Sequence, residues 1–231
     1  MTSAAAAFTK EQDDGAIADR IVAAVMARKL PAGAKLSEIA LCEAFGIGRA
    51  RVRRVLAMLA ERGVATLHAN RGAFVRSPGA DEARDVFAAR RAVERAVALA
   101  AAEFADDGAV KRLRAILEEG SRAERSGDRG EEIRLSGLFH LEIAAIAGNS
   151  VLSKFLAELV ARTSLIIGLH GARGSENCSG DEHGALIDAL EAHDGARAAG
   201  LMEAHLRHIE GTLDMRERAK TDVDVRALFA D

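Results

Sequence analysis

The chain has no tryptophan and no tyrosine, and eight phenylalanines are its only aromatic residues. Two prolines and two cysteines in 231 residues complete the list of what is scarce. So few β-formers and turn-formers disfavour a β-sandwich or propeller, and the abundance of alanine favours helix. Cys42 and Cys178 lie far apart and form no CxxC or zinc-type pair. They read as a small core residue and a loop thiol of a reducing cytoplasm. No apolar run approaches the roughly 20 residues that span a bilayer, so no membrane partner is expected. Residues 1–15 lack a basic n-region and carry four consecutive alanines, which reads as a flexible tail rather than a signal peptide. No GxGxxG, Walker, GxSxG or HExxH motif occurs, so the common hydrolase and nucleotide-binding readings lack support. Without Tyr or Trp, stacking on single-stranded bases is disfavoured too.

A formal net charge of −3 argues against nucleic acid only until it is divided. Residues 1–79 hold 12 Lys and Arg against 7 Asp and Glu, a net of +5, and residues 80–231 hold 20 against 28, a net of −8. Between Phe45 and Arg76 seven arginines face Glu61 alone. The split coincides with Ser77-Pro78-Gly79, which continues neither a helix nor a central strand. A basic small domain joined to an acidic larger one points to a polyanion for the first.

The basic part reads as a winged helix-turn-helix over residues 16–76. Ile17, Ile21, Val25 and Met26 mark an amphipathic helix from Ala16 to Arg28, and Leu30-Pro31-Ala32-Gly33 turns the chain. Ser37 can cap a short helix through Ala44, and Gly46 supplies the turn. A third helix starts near Gly48, with Val52, Val55, Leu56 and Leu59 on one face, and Gly63 stops it. Two strands, Val64–Leu67 and Ala73–Val75, flank a tip that carries Arg71 and Gly72. This order suits double-stranded DNA: a helix fits the major groove, and arginine pairs with guanine O6/N7 or with phosphates. Arg49 and Arg53, one turn apart, are the candidates for base edges or close phosphates. Arg51, Arg54 and Arg71 are candidates for phosphate or minor-groove contacts, with Gly72 allowing close approach. A plain solvated face is the alternative for each.

Leu30-Pro-Ala-Gly-Ala-Lys-Leu36, Phe45-Gly-Ile-Gly-Arg-Ala-Arg-Val-Arg-Arg-Val-Leu56 and Asn70-Arg-Gly-Ala-Phe-Val75 together resemble the GntR-type DNA-binding domain. The resemblance places Arg49 and Arg53 on that family's two arginines and Gly72 on its wing glycine. Gly48 stands where the family has Ser or Thr, Arg51 where it has Pro, and Arg54 where it has Glu. The first change weakens the helix cap; the other two add phosphate attraction.

After a linker at 77–81, residues 82–218 read as an antiparallel all-α bundle, followed by a C-terminal tail at 219–231. Asp81 can cap a helix to about Ala105, and further helices are expected at Gly108–Ser126, Glu131–Ala147, Asn149 or Ser150 to Leu169, Asp181–Ala192 and Gly195–Arg218. A loop is expected from Gly171 to Gly180. His140, His183 and His205 fall on inward faces of three different helices. A single inward histidine is ordinarily a hydrogen-bonded core residue, whereas three would each need a buried partner. One shared divalent ion, zinc or nickel, would satisfy all three.

Ala89-Arg-Arg-Ala-Val-Glu94, Phe139-His140 with Ala147-Gly-Asn149, Glu182-His183 and Met202 through Leu206 resemble the FCD effector domain of FadR-type GntR regulators. The resemblance implies a divalent metal on His140, His183 and His205, with Ser136 where the family has an Asp ligand. A hydroxyl is a poor ligand, and three neutral ligands leave a dication uncompensated, which favours an anionic effector. The resemblance also places Arg90 as a second contact for a carboxylate, with an ion pair to Glu94 as the alternative. Asn149 and Arg162 are further pocket candidates, and Cys178 is a remote ligand candidate. The expected function is a cytoplasmic, homodimeric transcriptional regulator, expected to repress from a two-fold operator and to be switched by a small organic acid. The alternatives are a metal-responsive regulator and a three-histidine metalloenzyme.

Overall fold

The computed structural model describes residues 13–171, 180–216 and 223–229. Its basic part opens with helix α1, Asp14–Met26, whose free N–H groups are met by the Asp13 carboxylate accepting from Ala16 N at 2.6 Å. Strand β1 (Lys35–Leu36) leads to α2 (Glu38–Phe45), which is capped by Ser37. Gly46, at φ 63°, ends α2 in the left-handed region that glycine adopts without strain. The third helix, α3 (Arg49–Glu61), starts at Gly48 with no side-chain cap, as the glycine there dictates. Strands β2 (Ala65–His68) and β3 (Gly72–Val75) form the hairpin. β1 adds to the outer edge of β3, giving the order β1-β3-β2, all antiparallel, with Lys35 opposite Phe74. Ile17, Ile21, Leu30, Leu36, Leu41 and Leu59 are fully buried beneath this sheet and these helices.

The larger part is helical: α4 (Ala80–Phe104), α5 (Asp107–Ser126), α6 (Arg129–Ile146), α7 (Ser150–His170), α8 (Gly180–Glu191) and α9 (Gly195–Gly211). Asp106, Asp128, Asn149 and Asp194 cap α5, α6, α7 and α9 with their side chains. Helix α4 packs along α9 and α7 and meets α6, with Phe87, Leu113, Phe139, Ile143, Leu156 and Ile166 fully buried.

Three boundaries differ from the sequence reading, and two expected segments fall largely outside what the structure describes. Asp81 does not cap α4: the helix begins at Ala80 behind Gly79, and Asp81 in its first turn pairs with Arg84. α9 stops at Gly211, short of Arg218, because the chain turns at Thr212 to bridge Leu213 to Gly171, and Asp214 N donates to His170 O at 2.8 Å. Most of the expected loop, residues 172–179 with Cys178, lies outside the described residues, as do residues 1–12 of the expected N-terminal tail. Finally, the stretch read as a C-terminal tail contains helix α10 (Val225–Phe229), which packs on α2 of the basic part. Phe229 meets Phe45 at 5.0 Å between ring centroids, Arg20 lies over both rings, and Arg226 pairs with Glu43 at 3.2 Å. Burying Val225 and Phe229 orders a segment too short for periodicity to reveal.

The two parts also meet at the C-terminal end of α7. Arg28, itself at φ 58°, donates to the carbonyls of Gly168 (2.9 Å) and Gly171, which α7 leaves without intrahelical donors. Met26 lies against Gly168, where a Cβ would come within 2.5 Å of its sulfur.

Candidate functional site

Three imidazoles from α6, α8 and α9 converge inside the bundle. His140, His183 and His205 are 0%, 4% and 1% exposed, and one ring nitrogen of each lies within 4.8 Å of the others. Two of them are oriented by carboxylates. Glu94 of α4, fully buried, takes the Nδ1 of His140 at 2.5 Å, and Glu182 of α8 takes the Nδ1 of His205 at 2.7 Å. A carboxylate at Nδ1 keeps the proton there and turns the Nε2 lone pair the other way. The Nε2 of His140 accordingly has no hydrogen-bond partner among the described residues, and that of His205 faces the Nε2 of His183 at 3.2 Å. The His183 ring is fixed by stacking on Phe139, 4.1 Å between centroids.

That donor set fits a metal ion. Zn–N bonds of about 2.0–2.1 Å place two ligand nitrogens about 3.4 Å apart at the tetrahedral angle and about 2.9 Å apart at a right angle; the observed 3.2 Å falls between. Burial holds His140 down to about 4 against the opposing pull of Glu94, with Arg90 and His205 adding to the fall. Burial likewise holds His183 well below the usual histidine value, helped by His205, His140 and Arg90. Both rings are therefore neutral at pH 7, the form a metal requires.

Beside the histidines lies a cavity of about 50 Å³, walled mainly by α4, α5, α6 and α7 and touched by His183 of α8 and Ile209 of α9. One water needs about 10–15 Å³ on this measure, so the space takes a few waters or a short carbon chain. Arg90 lines it at 3% exposure. Its Nε bonds Glu94 and its Nη1 donates to Thr163 Oγ1 at 2.7 Å, while Nη2 has no partner among the described residues. The arginine is thus both the ion-pair partner of Glu94 and a donor left over at a cavity wall. Burial alone would raise the Glu94 carboxyl, but Arg90 and then His140 hold it down at about 2.

Ser136, one turn before His140, lines the same cavity. Asn149 and Arg162 do not reach it. Asn149 is exposed and accepts from the N–H groups of Val151 and Leu152 as the α7 cap; Arg162 is turned outward and paired with Glu158. Helix caps and surface pairs accounted for both residues better than a ligand. What the sequence reading did not assign is the role of Glu94 and Glu182 as the acids that orient the imidazoles. Glu94 lies one turn from Arg90 on the inward stripe of α4, and Glu182 directly precedes His183; an acid on a buried face beside a base is the signal both carried.

The basic part presents its own surface. Arg49 is exposed at the start of α3 with no ion pair among the described residues, and Arg71 is exposed at the hairpin tip. The turn there uses positive φ at Asn70 (60°) and Gly72 (91°). Arg53, 68% exposed, meets Glu38 at 3.1 Å in a surface pair of small strength. Arg51 and Arg54 differ from expectation: both reach back to Asp14 of α1 at 2.8 Å, and Arg51 is only 25% exposed. The Asp14 carboxyl is lowered first by Arg51, then by Arg54. The two additional arginines therefore fasten α3 to the start of α1.

Residues 14–75 match the family described as bacterial regulatory proteins, gntR family, and residues 85–208 match the FCD domain. The HTH-type transcriptional regulator LutR of Bacillus subtilis (strain 168) is 26% identical over 208 residues, which cover 80% of this chain and 94% of LutR. The HTH-type transcriptional repressor NanR of Enterobacter sp. (strain 638) is 30% identical over 200 residues, covering 76% and 75%. Among solved structures, a GntR regulator from Rhodococcus sp. RHA1 superposes with a TM-score of 0.70 at 21% identity, over 86% of this chain and 95% of the other. E. coli McbR/YncC superposes at 0.69 and 18%, over 84% and 93%. At those identities the structures speak for the fold.

Proposed function

The chain belongs to the GntR family of bacterial regulatory proteins and carries an FCD domain, and from that premise we propose a ligand-released repressor that uses a divalent metal. It is a DNA-binding transcriptional regulator and not an enzyme, as are the relatives it matches. In our reading the exposed Arg49, Arg53 and Arg71 meet double-stranded DNA, and two copies bind a two-fold operator. Support for the second copy comes from Leu138 of α6 and Val151 and Phe155 of α7, large apolar residues left exposed on adjacent helices. Repression is the role that the relative NanR is named for.

The observation that carries the sensor reading is the convergence of three buried imidazole nitrogens beside an Arg90 donor without a partner. His140, His183 and His205 would hold zinc or nickel, which would supply positive charge to anchor a carboxylate. Arg90 orients the same carboxylate through Nη2.

The test is fluorescence anisotropy with DNA from upstream of the protein's own gene, across a range of salt. Affinity is expected to fall with salt and to drop about 5- to 100-fold in Arg49→Ala. Arg51→Ala is expected to lower thermal stability more than DNA affinity. Absence of any salt-sensitive preference for that DNA would refute the reading. If chelator alone changes DNA affinity with no acid present, the ion itself is the signal.

A further inference from the structure

The cavity is chemically two-ended. Its inner end holds the unpartnered Nη2 of Arg90 and the ring of His183. Its mouth, between α5 and α6, holds Glu132 and Glu124. Helix α6 sets the spacing: Glu132, Ser136 and His140 follow at four-residue steps on one stripe, each step advancing about 6 Å along the axis. Between the ends the walls are mainly apolar, with Ile116, Leu117, Ile133 and Ile167, interrupted by Ser136 and Ser164.

The Glu132 carboxylate forms no hydrogen bond or ion pair among the described residues. Burial raises its pKa and Glu124 adds to the rise, against the opposing pull of Arg129. An acid in the first turn of a helix ordinarily complements the free N–H groups there. On α6 that place is filled by Asp128, which caps Glu131 N at 3.1 Å, and by Glu131, which is paired with Arg134. Glu132 is instead at the cavity. A half-buried carboxylate that makes no hydrogen bond among the described residues, and feels Arg129 only at longer range, is a receptor for a cation or a strong donor.

We propose that the effector is an amino acid whose carboxylate and ammonium groups stand at opposite ends of a short chain, the carboxylate at Arg90 and the histidines and the ammonium between Glu132 and Glu124. This rests on the carboxylate-binding reading of the cavity and adds its discriminating end. A plain monocarboxylate leaves Glu132 unpaired, and a dicarboxylate of equal length sets a second negative charge against two acids. The apolar middle fits the methylenes between the ends.

Isothermal titration calorimetry on the full chain with one equivalent of zinc chloride tests this with three five-carbon probes: 5-aminopentanoate, pentanoate and glutarate. The amino acid is expected to bind about tenfold or more tighter than pentanoate, as a charge-assisted hydrogen bond would give, with glutarate weakest. In Glu132→Gln the ratio of the first two affinities should fall to near one, and in Glu124→Gln it should fall by less. Circular dichroism of each variant establishes that it is folded. Equal affinities, glutarate above the amino acid, or an unchanged ratio in folded Glu132→Gln would overturn the inference while leaving the carboxylate reading in place. Failure of all three acids to bind would overturn that reading and the inference with it.

Discussion

Replacing Glu94 by Gln removes a negative charge from a fully buried position where two donors converge, the Nε of Arg90 and the Nδ1 of His140. The amide offers one oxygen and one NH₂, so it accepts from one donor and opposes the other, and Arg90 is left buried without a counter-charge. The carboxyl is held at about 2 against an ordinary 4.5, a gap worth about 3 kcal/mol at neutral pH. That agrees with the roughly 3–5 kcal/mol lost when one partner of a buried pair is removed. The sign follows from the depressed value: the contribution is complete above 4.5 and disappears as pH falls through about 2, so wild type and variant should converge in acid. Urea unfolding followed by far-ultraviolet circular dichroism is the assay, since the chain has no Trp or Tyr to report by fluorescence. Glu94→Gln should lose about 3 kcal/mol, and the double variant with Arg90→Met should recover most of it, because the stranded charge is gone. Zinc affinity should drop about 10- to 100-fold in Glu94→Gln as His140 loses its orienting acid. A loss under about 1 kcal/mol, or additive effects in the double variant, would refute the account of Glu94 as the shared anchor of Arg90 and His140.

Ser136→Asp places a carboxylate one turn before His140 on the cavity wall and should raise zinc affinity about tenfold or more, read by competition with a chromophoric chelator; unchanged affinity would separate Ser136 from the metal. Phe229→Ala should cost the basic part about 2 kcal/mol, the worth of a buried phenylalanine side chain. Faster amide exchange in α2, against which Phe229 rests on Phe45, would report it, and unaltered exchange would count against the docking of α10.

Local chemistry wrote most of this architecture into the sequence. The helices are visible because their apolar residues recur at three and four, and because acids and serine at their starts satisfy free N–H groups, as Asp106 and Ser37 do. The three histidines could be placed inward on the same grounds. What escaped depends on residues far apart in the chain. β1 is two residues long and exists only by pairing with β3. Arg51 and Arg54 look like part of a DNA-facing run until Asp14, 37 and 40 residues away, claims both. Glu94 meets His140 across 46 residues, and α10 is a five-residue helix held by the side chains it buries. Periodicity reports which face turns inward, not which distant group waits there.

The same long-range contacts bear on how a sensor cavity can speak to a DNA-facing surface. An effector shifts the equilibrium between two arrangements only by the difference in its affinity for them. On the proposed reading, in which this cavity holds the effector, its wall must differ between those arrangements. Ile167 of α7 is part of that wall, and its carbonyl accepts from Arg129 at 3.2 Å. One residue on, the Gly168 carbonyl accepts from Arg28, and Met26 presses on Gly168 itself. Both Met26 and Arg28 stand at the C-terminal end of α1, whose first turn holds Arg51 and Arg54 of α3 through Asp14. The last turn of α7 is thus a cavity wall on one side and the seat of α1 on the other. In a close-packed interior, movement of that turn for a ligand would be passed on to the residues seated against it. Because Gly168 has no Cβ, Met26 occupies the space a side chain would need, and a Cβ placed there would come within 2.5 Å of its sulfur.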